Sequence, residues 1–261
     1  MTYETILTNL ESGIYTITLN RPDSYNACNE QVTTELQAAL QIAHDSEDIR
    51  CIVLTGAGKA FCSGQDLKDA PSGGGKRSLK DSLERRYNPI IKLITSLPKP
   101  VIAGINGVAA GAGLSLALAC DVRIMNASAK LVEAFIGIAL IPDSGATFFY
   151  ANMLGYAKAF EFATLNKPIS AEEALSLGMV NQVLHRGAFN EGLHAIAKKY
   201  AEGPTQSYGY VKMLLQNAQS STLEHMLELE SEYQQLAGES HDYAEGVQAF
   251  IEKRAPQFLG R

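Results

Sequence analysis

Two short stretches carry the residue types from which an oxyanion hole is built: Ala60-Phe61-Cys62-Ser63-Gly64-Gln65-Asp66-Leu67 and Asn106-Gly107-Val108-Ala109-Ala110-Gly111-Ala112-Gly113. Each sets glycine and small residues where a strand ends and a helix should begin. Glycine lets a ligand or a second backbone approach closely, and the first N–H groups of a helix have no partner within it. Two such turns could therefore aim two backbone donors at one oxygen. Chemistry that builds negative charge on a carbonyl oxygen needs that arrangement, since removing one such donor typically costs roughly 3 kcal/mol of transition-state stabilisation.

A single glycine-rich turn is a weak signal, but three more segments accompany these two. In order and spacing the set resembles the crotonase (enoyl-CoA hydratase/isomerase) superfamily over nearly the whole chain. Arg21-Pro22-Asp23-Ser24-Tyr25-Asn26-Ala27 looks like that family's first CoA-contacting loop, and Ile138 to Gly145 like its catalytic loop. Phe250-Ile251-Glu252-Lys253-Arg254-Ala255-Pro256-Gln257-Phe258 is similar to its C-terminal signature, and five ordered motifs make a specific match.

The resemblance implies an acyl-CoA thioester as substrate, its carbonyl held by the backbone N–H groups of Gln65 and Ala112, with no metal and no further cofactor. Gly111 is expected to keep the second turn free of a crowding Cβ. For CoA the resemblance offers Arg21, Lys68 and Lys253 to the phosphates and Ala27, Leu67 and Phe250 as apolar contacts. Ser63 and Asp66 of the first turn and Gly111 of the second complete the expected substrate-binding set. In the family the residues matching Phe250 and Lys253 approach CoA from a neighbouring subunit. The ordinary alternative for such a Lys-Arg pair is a solvated helix end. Asp66 has another use as well, bracing its own turn through backbone hydrogen bonds.

The chain departs from the hydratases at the proton-transfer groups. Where they carry two glutamates, the corresponding positions here are Ser115 and Phe135, and Glu133 is two residues out of register with the second. One carboxylate falls in the site by motif: Asp143, within Gly137-Ile138-Ala139-Leu140-Ile141-Pro142-Asp143-Ser144-Gly145. Family members that isomerise place an acidic residue there, and this context looks closest to the ring-epoxide isomerases of phenylacetate degradation and the enoyl-CoA isomerases. One carboxylate can take a proton from one carbon of an allylic system and return it two carbons away, whereas adding water calls for acid and base together. Apolar Phe135, Ile138, Phe148 and Phe149 would desolvate Asp143 and strengthen it as a base. The same aspartate could instead N-cap a helix beginning at Ser144, and both uses are compatible.

The expected activity is thus isomerisation of an acyl-CoA, either 3-enoyl to 2-enoyl or rearrangement of a ring-epoxide phenylacetyl-CoA type substrate, with Asp143 as acid/base. The rivals are an enoyl-CoA hydratase and a non-catalytic acyl-CoA-binding assembly subunit. Ser63 lacks the GxSxG context of a hydrolase nucleophile, and His44, His185, His194, His225 and His241 show no metal-ligand spacing.

These residues need a scaffold, and 261 residues with 46% hydrophobic content can bury a sizeable core. The 28 acidic against 22 basic residues, a net charge of -6, argue against nucleic-acid or anionic-membrane binding. Cys28, Cys51, Cys62 and Cys120 are scattered without a CxxC pair, which fits free thiols in the cytoplasm. The N-terminal residues have neither a basic leader nor a cleavable apolar stretch, so no export is inferred. The uncharged run 101–120 reaches the length of a membrane span, but Gly104, Gly107, Gly111, Gly113 and Asn106 make it a buried strand, a turn and a buried helix.

Glu4 to Leu10 and Gly13 to Asn20 predict a hairpin, and Val32, Leu36 and Leu40 a helix capped by Asn29. Cys51 to Thr55, Val101 to Ile105 and Val122 to Met125 read as strands. Leu83, Tyr87, Ile90, Ile91 and Ile94 mark one intervening helix and Ala112 to Ala119 another. The alternation is α/β, and the resemblance makes it a crotonase (ClpP-like) spiral of ββα turns over 1–200. Ser170-Ala171-Glu172-Glu173 is a capping box with Gly178 as its stop. Helices are predicted over Phe189–Glu202, Thr205–Gln216, Ser221–Ala237 and Asp242–Ile251. The resemblance makes 201–261 a C-terminal helical trimerisation region, giving a homotrimer or dimer of trimers. Pro71 to Ser78, with no large apolar residue, reads as a loop beside the site.

Overall fold

The computed structural model describes residues 3–69 and 78–261. The chain begins with β1 (Ile6–Glu11) and β2 (Ile14–Leu19), the expected antiparallel hairpin, turned through Ser12 and Gly13 at positive φ. Next comes α1 (Glu30–Asp45), whose N-cap Asn29 accepts from Val32 N and whose buried stripe includes Val32, Leu36 and Leu40. From here strand pairs and helices alternate. β3 (Cys51–Gly56) and β4 (Ala60–Cys62) precede α2 (Leu79–Ser82), a π turn (Leu83–Tyr87) and α3 (Asn88–Ser96). β5 (Val101–Ile105), β6 (Val108–Ala110) and α4 (Ala112–Ala119) make a second unit. A third consists of β7 (Val122–Asn126), β8 (Lys130–Val132) and α5 (Ala146–Leu165).

β9 (Ile169–Ser170), α6 (Ala171–Ser176) and β10 (Gln182–Leu184) complete the sheets. The helices α7 (Phe189–Ala201), α8 (Thr205–Ala218), α9 (Leu223–Gly238) and α10 (His241–Glu252) follow, each bound within two residues of its predicted limit.

The first strand of each unit enters one sheet, in the order β1-β2-β3-β5-β7-β10, and the second strand enters another, in the order β4-β6-β8-β9. Pairing is parallel from β2 through β10 and from β4 through β8, which is the ββα spiral. Strands covered on both faces read as unbroken apolar runs. In β3, Cys51 and Val53 pack with Phe189, Leu193 and Ala197 of α7, while Ile52 and Leu54 belong to the main core.

The ββα turns implied a second strand in each unit, but the strands of this second sheet, two or three residues long, are too short to display alternation in the sequence. The helix expected from Ser144 is α5, which starts at Ala146, has apolar residues on all sides and is kinked at Gly155 (φ +70°). Residues 101–120 fold as β5, β6 and α4, and no helix among the described residues is long and apolar enough to cross a membrane. The loop expected from residue 71 lies outside the described residues up to 77. Ser78, its last residue, instead caps α2 by accepting from Asp81 N. All four cysteines are buried and unbridged.

Candidate active site

The first glycine turn leaves β4 at Cys62 and is zipped to the 21–28 loop. Ser63 N donates to Tyr25 O (3.0 Å), Cys28 N to Gly64 O (2.8 Å) and Asp66 N to Cys28 O (3.0 Å). Asn26, fully buried, donates to Ala57 O and Ala60 O, while Asn106 donates to Ala60 O and Gly58 O. These two amides hold the approach to β4. Asp66 braces its turn: Arg21 donates to Asp66 Oδ2 at 2.9 Å and Lys68 N to Asp66 Oδ1 at 3.0 Å. Burial raises the Asp66 pKa, but the Arg21 and Lys68 donors outweigh it and hold the carboxyl below its ordinary range. Ser63 Oγ donates to Ser24 O, a purely structural contact.

The second turn abuts the first. A Cβ placed on Gly64 would lie 2.9 Å from Ala110 O and 3.4 Å from Ala112 N, and one on Gly113 would overlap Cys62 O. Gly111 N donates to Val132 O at 3.0 Å, and α4 starts at the next residue without a side-chain cap. Among the described residues neither Gln65 N nor Ala112 N donates to any acceptor. Two unspent N–H groups on touching turns are what an oxyanion hole would require. Gly111 departs from expectation. A Cβ there would have ordinary room, 3.9 Å from Ala134 Cβ, Glu133 O and Phe135 Cε2. Its backbone (φ +52°, ψ −127°) is what demands glycine, not crowding.

Ser115 joins this turn to Asp143. Its hydroxyl is completely buried and donates to Asp143 O (3.1 Å), with Gly111 O at 3.3 Å. The position of a hydratase glutamate thus holds the Asp143 backbone against the first turn of α4. Asp143 is half-buried, and its Oδ1 accepts from Ser144 Oγ at 2.8 Å. Burial pushes its carboxyl above the ordinary range, and the Ser144 hydrogen bond offsets part of that.

The helix-cap use of Asp143 is not found. α5 begins behind Gly145 (φ +80°) with no side-chain cap, and Ala146 N donates to the Asp143 backbone carbonyl. Ser144 (φ +54°) and Gly145 are consecutive positive-φ residues that lead into α5. Of the four apolar residues expected around it, two are largely exposed. Phe135 is buried and Phe149 half-buried, but Ile138 is 54% and Phe148 56% exposed.

Two further residues complete the site's surroundings, Tyr87, which carries no site signal in the sequence, and Glu133, the carboxylate out of register with the hydratase pattern. Tyr87 reaches the first turn from the π turn, its hydroxyl donating to Gln65 Oε1 at 2.6 Å. In the sequence Tyr87 is one apolar position of a helical stripe. Glu133 is 0% exposed, with Oε2 accepting from Ile136 N, and burial raises its pKa. Its sealed position keeps it from the role of a hydratase glutamate.

The expected CoA contacts divide into two groups. Arg21, Ala27, Leu67 and Lys68 surround the first turn; Leu67 and Lys68 are exposed, while the Arg21 charge is engaged by Asp66. Phe250 and Lys253 sit elsewhere, on α10 and at its C-cap. Phe250 is 85% exposed and lines a groove of about 1010 Å³ with Tyr210, Val211, Leu227, Tyr243 and Phe258.

Residues 9–261 match the model of a family described as enoyl-CoA hydratase/isomerase. The chain is 44% identical to a 1,2-epoxyphenylacetyl-CoA isomerase of Escherichia coli (strain K12), covering 99% of each protein. It is 30% identical to a trans-2-decenoyl-[acyl-carrier-protein] isomerase of Streptococcus mutans, covering 100% of both. The crystal structure of an enoyl-CoA hydratase from Bacillus anthracis superposes with a TM-score of 0.93 at 32% identity, covering 99% of this chain and all of the other.

Proposed function

The chain belongs to the enoyl-CoA hydratase/isomerase family, and on that premise we propose that it is an acyl-CoA isomerase with Asp143 as its acid/base. The thioester carbonyl accepts from Gln65 N and Ala112 N. Asp143 removes the α-proton of a 3-enoyl-CoA, the electron pair moves onto the thioester oxygen as a dienolate, and the proton returns at the γ-carbon to give the 2-enoyl isomer. The same enolate chemistry serves a ring-epoxide phenylacetyl-CoA type substrate, a choice favoured by the name of the 44% identical relative. The CoA thioester is the substrate, and these steps call for no metal or redox cofactor.

One observation carries this reading. Of the candidate acid/base positions, Ser115 spends its hydroxyl on backbone carbonyls, Phe135 is apolar and Glu133 is sealed, which leaves the half-buried Asp143. A hydratase would need a second group to hold and activate water. The test is an enoyl-CoA panel that includes ring-epoxide substrates, followed by mass spectrometry in deuterium oxide. Interconversion of 3-enoyl and 2-enoyl isomers or of a ring epoxide, with solvent deuterium gained at the α- or γ-carbon, is the expected result. Hydration of crotonyl-CoA faster than any isomerisation would make the protein a hydratase. Acyl-CoA binding without turnover of any panel member would leave it a binding subunit.

The reading includes a homotrimer or dimer of trimers, assembled through residues 201–261. Exposed Leu223, Phe250 and Ile251 on the C-terminal helices support it, since large apolar side chains so exposed call for a partner surface. Phe250 and Lys253 would then meet CoA bound in a neighbouring subunit. Light scattering should give a mass of about three or six protomers, in keeping with the closed symmetries of homo-oligomers. A fully active monomer would remove the cross-subunit contact.

A further inference from the structure

A π turn is rare, occurs mostly as a single-turn insertion within an α-helix, and is frequent at functional sites. Here it occupies Leu83–Tyr87, between α2 and α3; its last residue, Tyr87, reaches the first oxyanion segment, and Arg86 reaches the 21–28 loop that is zipped to it. Tyr87 is 2% exposed, and its hydroxyl donates to Gln65 Oε1 at 2.6 Å, with Cys28 O at 3.5 Å. The neighbouring Arg86 donates to Cys28 O (3.4 Å) and Thr33 Oγ1 (3.2 Å) and pairs with Asp69 at 3.3 Å. Gln37 of α1 in turn donates to the Arg85 and Arg86 carbonyls, two acceptors of the irregular turn.

We propose that this π turn is a clamp on the first oxyanion segment, with Tyr87 the residue that positions the Gln65 N–H. The inference rests on the reading that Gln65 N binds the thioester oxygen. The Gln65 side chain is folded back on its own turn: Oε1 accepts from Tyr87 while Nε2 donates to Asp66 O at 3.2 Å. With both ends of that amide engaged, the backbone N–H of Gln65 is held at one orientation against Gly64 and Ala112. Burial pushes the Tyr87 pKa far up, so the phenol remains a donor across the working pH range. A regular helix would carry one residue fewer in this turn and would rotate Tyr87 away from Gln65.

The experiment measures the carbonyl stretch of bound [1-13C]butyryl-CoA, which has no double bond to isomerise, by infrared difference spectroscopy. In the wild type the band should move to lower frequency than in solution. In Tyr87→Phe roughly half of that displacement should disappear, kcat should fall about tenfold and KM should change less than about threefold, the pattern of a transition-state contact. Gln37→Leu, remote from the substrate, should move the band and kcat in the same direction by a smaller amount. A normal band displacement and normal kcat in Tyr87→Phe would overturn the clamp. A wild-type band left where it is in solution would instead overturn the assignment of Gln65 N as a donor, and the clamp with it.

Discussion

Asp143→Asn should reduce isomerase turnover by at least roughly two orders of magnitude, the usual worth of general acid–base catalysis, with acyl-CoA affinity little changed. The amide keeps the shape of the carboxylate. It also leaves the backbone carbonyl that accepts from Ser115 and Ala146 untouched, so the loop should keep its position. What is lost is the lone pair that, in the proposed mechanism, takes the α-proton. The pH dependence has a definite sign. Burial raises the Asp143 pKa, and proton removal needs the ionised form, so kcat should fall as pH drops through a value above that of an ordinary aspartate.

Linkage gives a second observable. A carboxyl whose pKa is raised on folding binds protons more tightly in the native state, so its contribution to stability is most favourable at low pH and declines as pH rises through the folded pKa. At neutral pH the charged Asp143 is therefore a small burden, and Asp143→Asn should melt no lower than the wild type. Isomerase activity retained in that variant would end the single-carboxylate mechanism.

Gly64→Ala should be nearly as damaging to kcat, by about two to three orders of magnitude, because it displaces one donor of the pair. Gly64 has φ +93°, and an added Cβ would meet Ala110 O at 2.9 Å, on the strand that leads into the second turn. Relief requires the turns to separate, which moves Gln65 N relative to Ala112 N. Gly178→Ala is the control: φ is +71°, but nothing lies within 4 Å of the new Cβ. It should cost only the positive-φ strain, on the order of 1 kcal/mol of stability, with kcat unchanged. If Gly64→Ala turns over like the wild type, the thioester oxygen is bound somewhere else.

Local physics was legible in the sequence. Asn29 and Ser170 cap their helices as their residue types and spacing require, and β3 and β5 are the apolar runs that strands buried on both faces must be. The glycine turns and the Asp143 motif were legible too, because only a few residue types tolerate such backbones or supply such chemistry. Partners distant in sequence were not. Ser115 meets Asp143 across 28 residues and Tyr87 meets Gln65 across 22, contacts fixed by how α4, the π turn and the two sheets pack. The three-residue strands β4 and β6, which set the oxyanion turns side by side, carry too few residues for any periodicity, so only sheet pairing defines them. Residue types and their spacing determined which groups were at hand. The tertiary structure decided which were free to act: it spent Ser115 on backbone carbonyls, engaged Arg21 with Asp66, sealed Glu133, and left Asp143 and two backbone N–H groups open, because burial and hydrogen-bond satisfaction are properties of the packed chain.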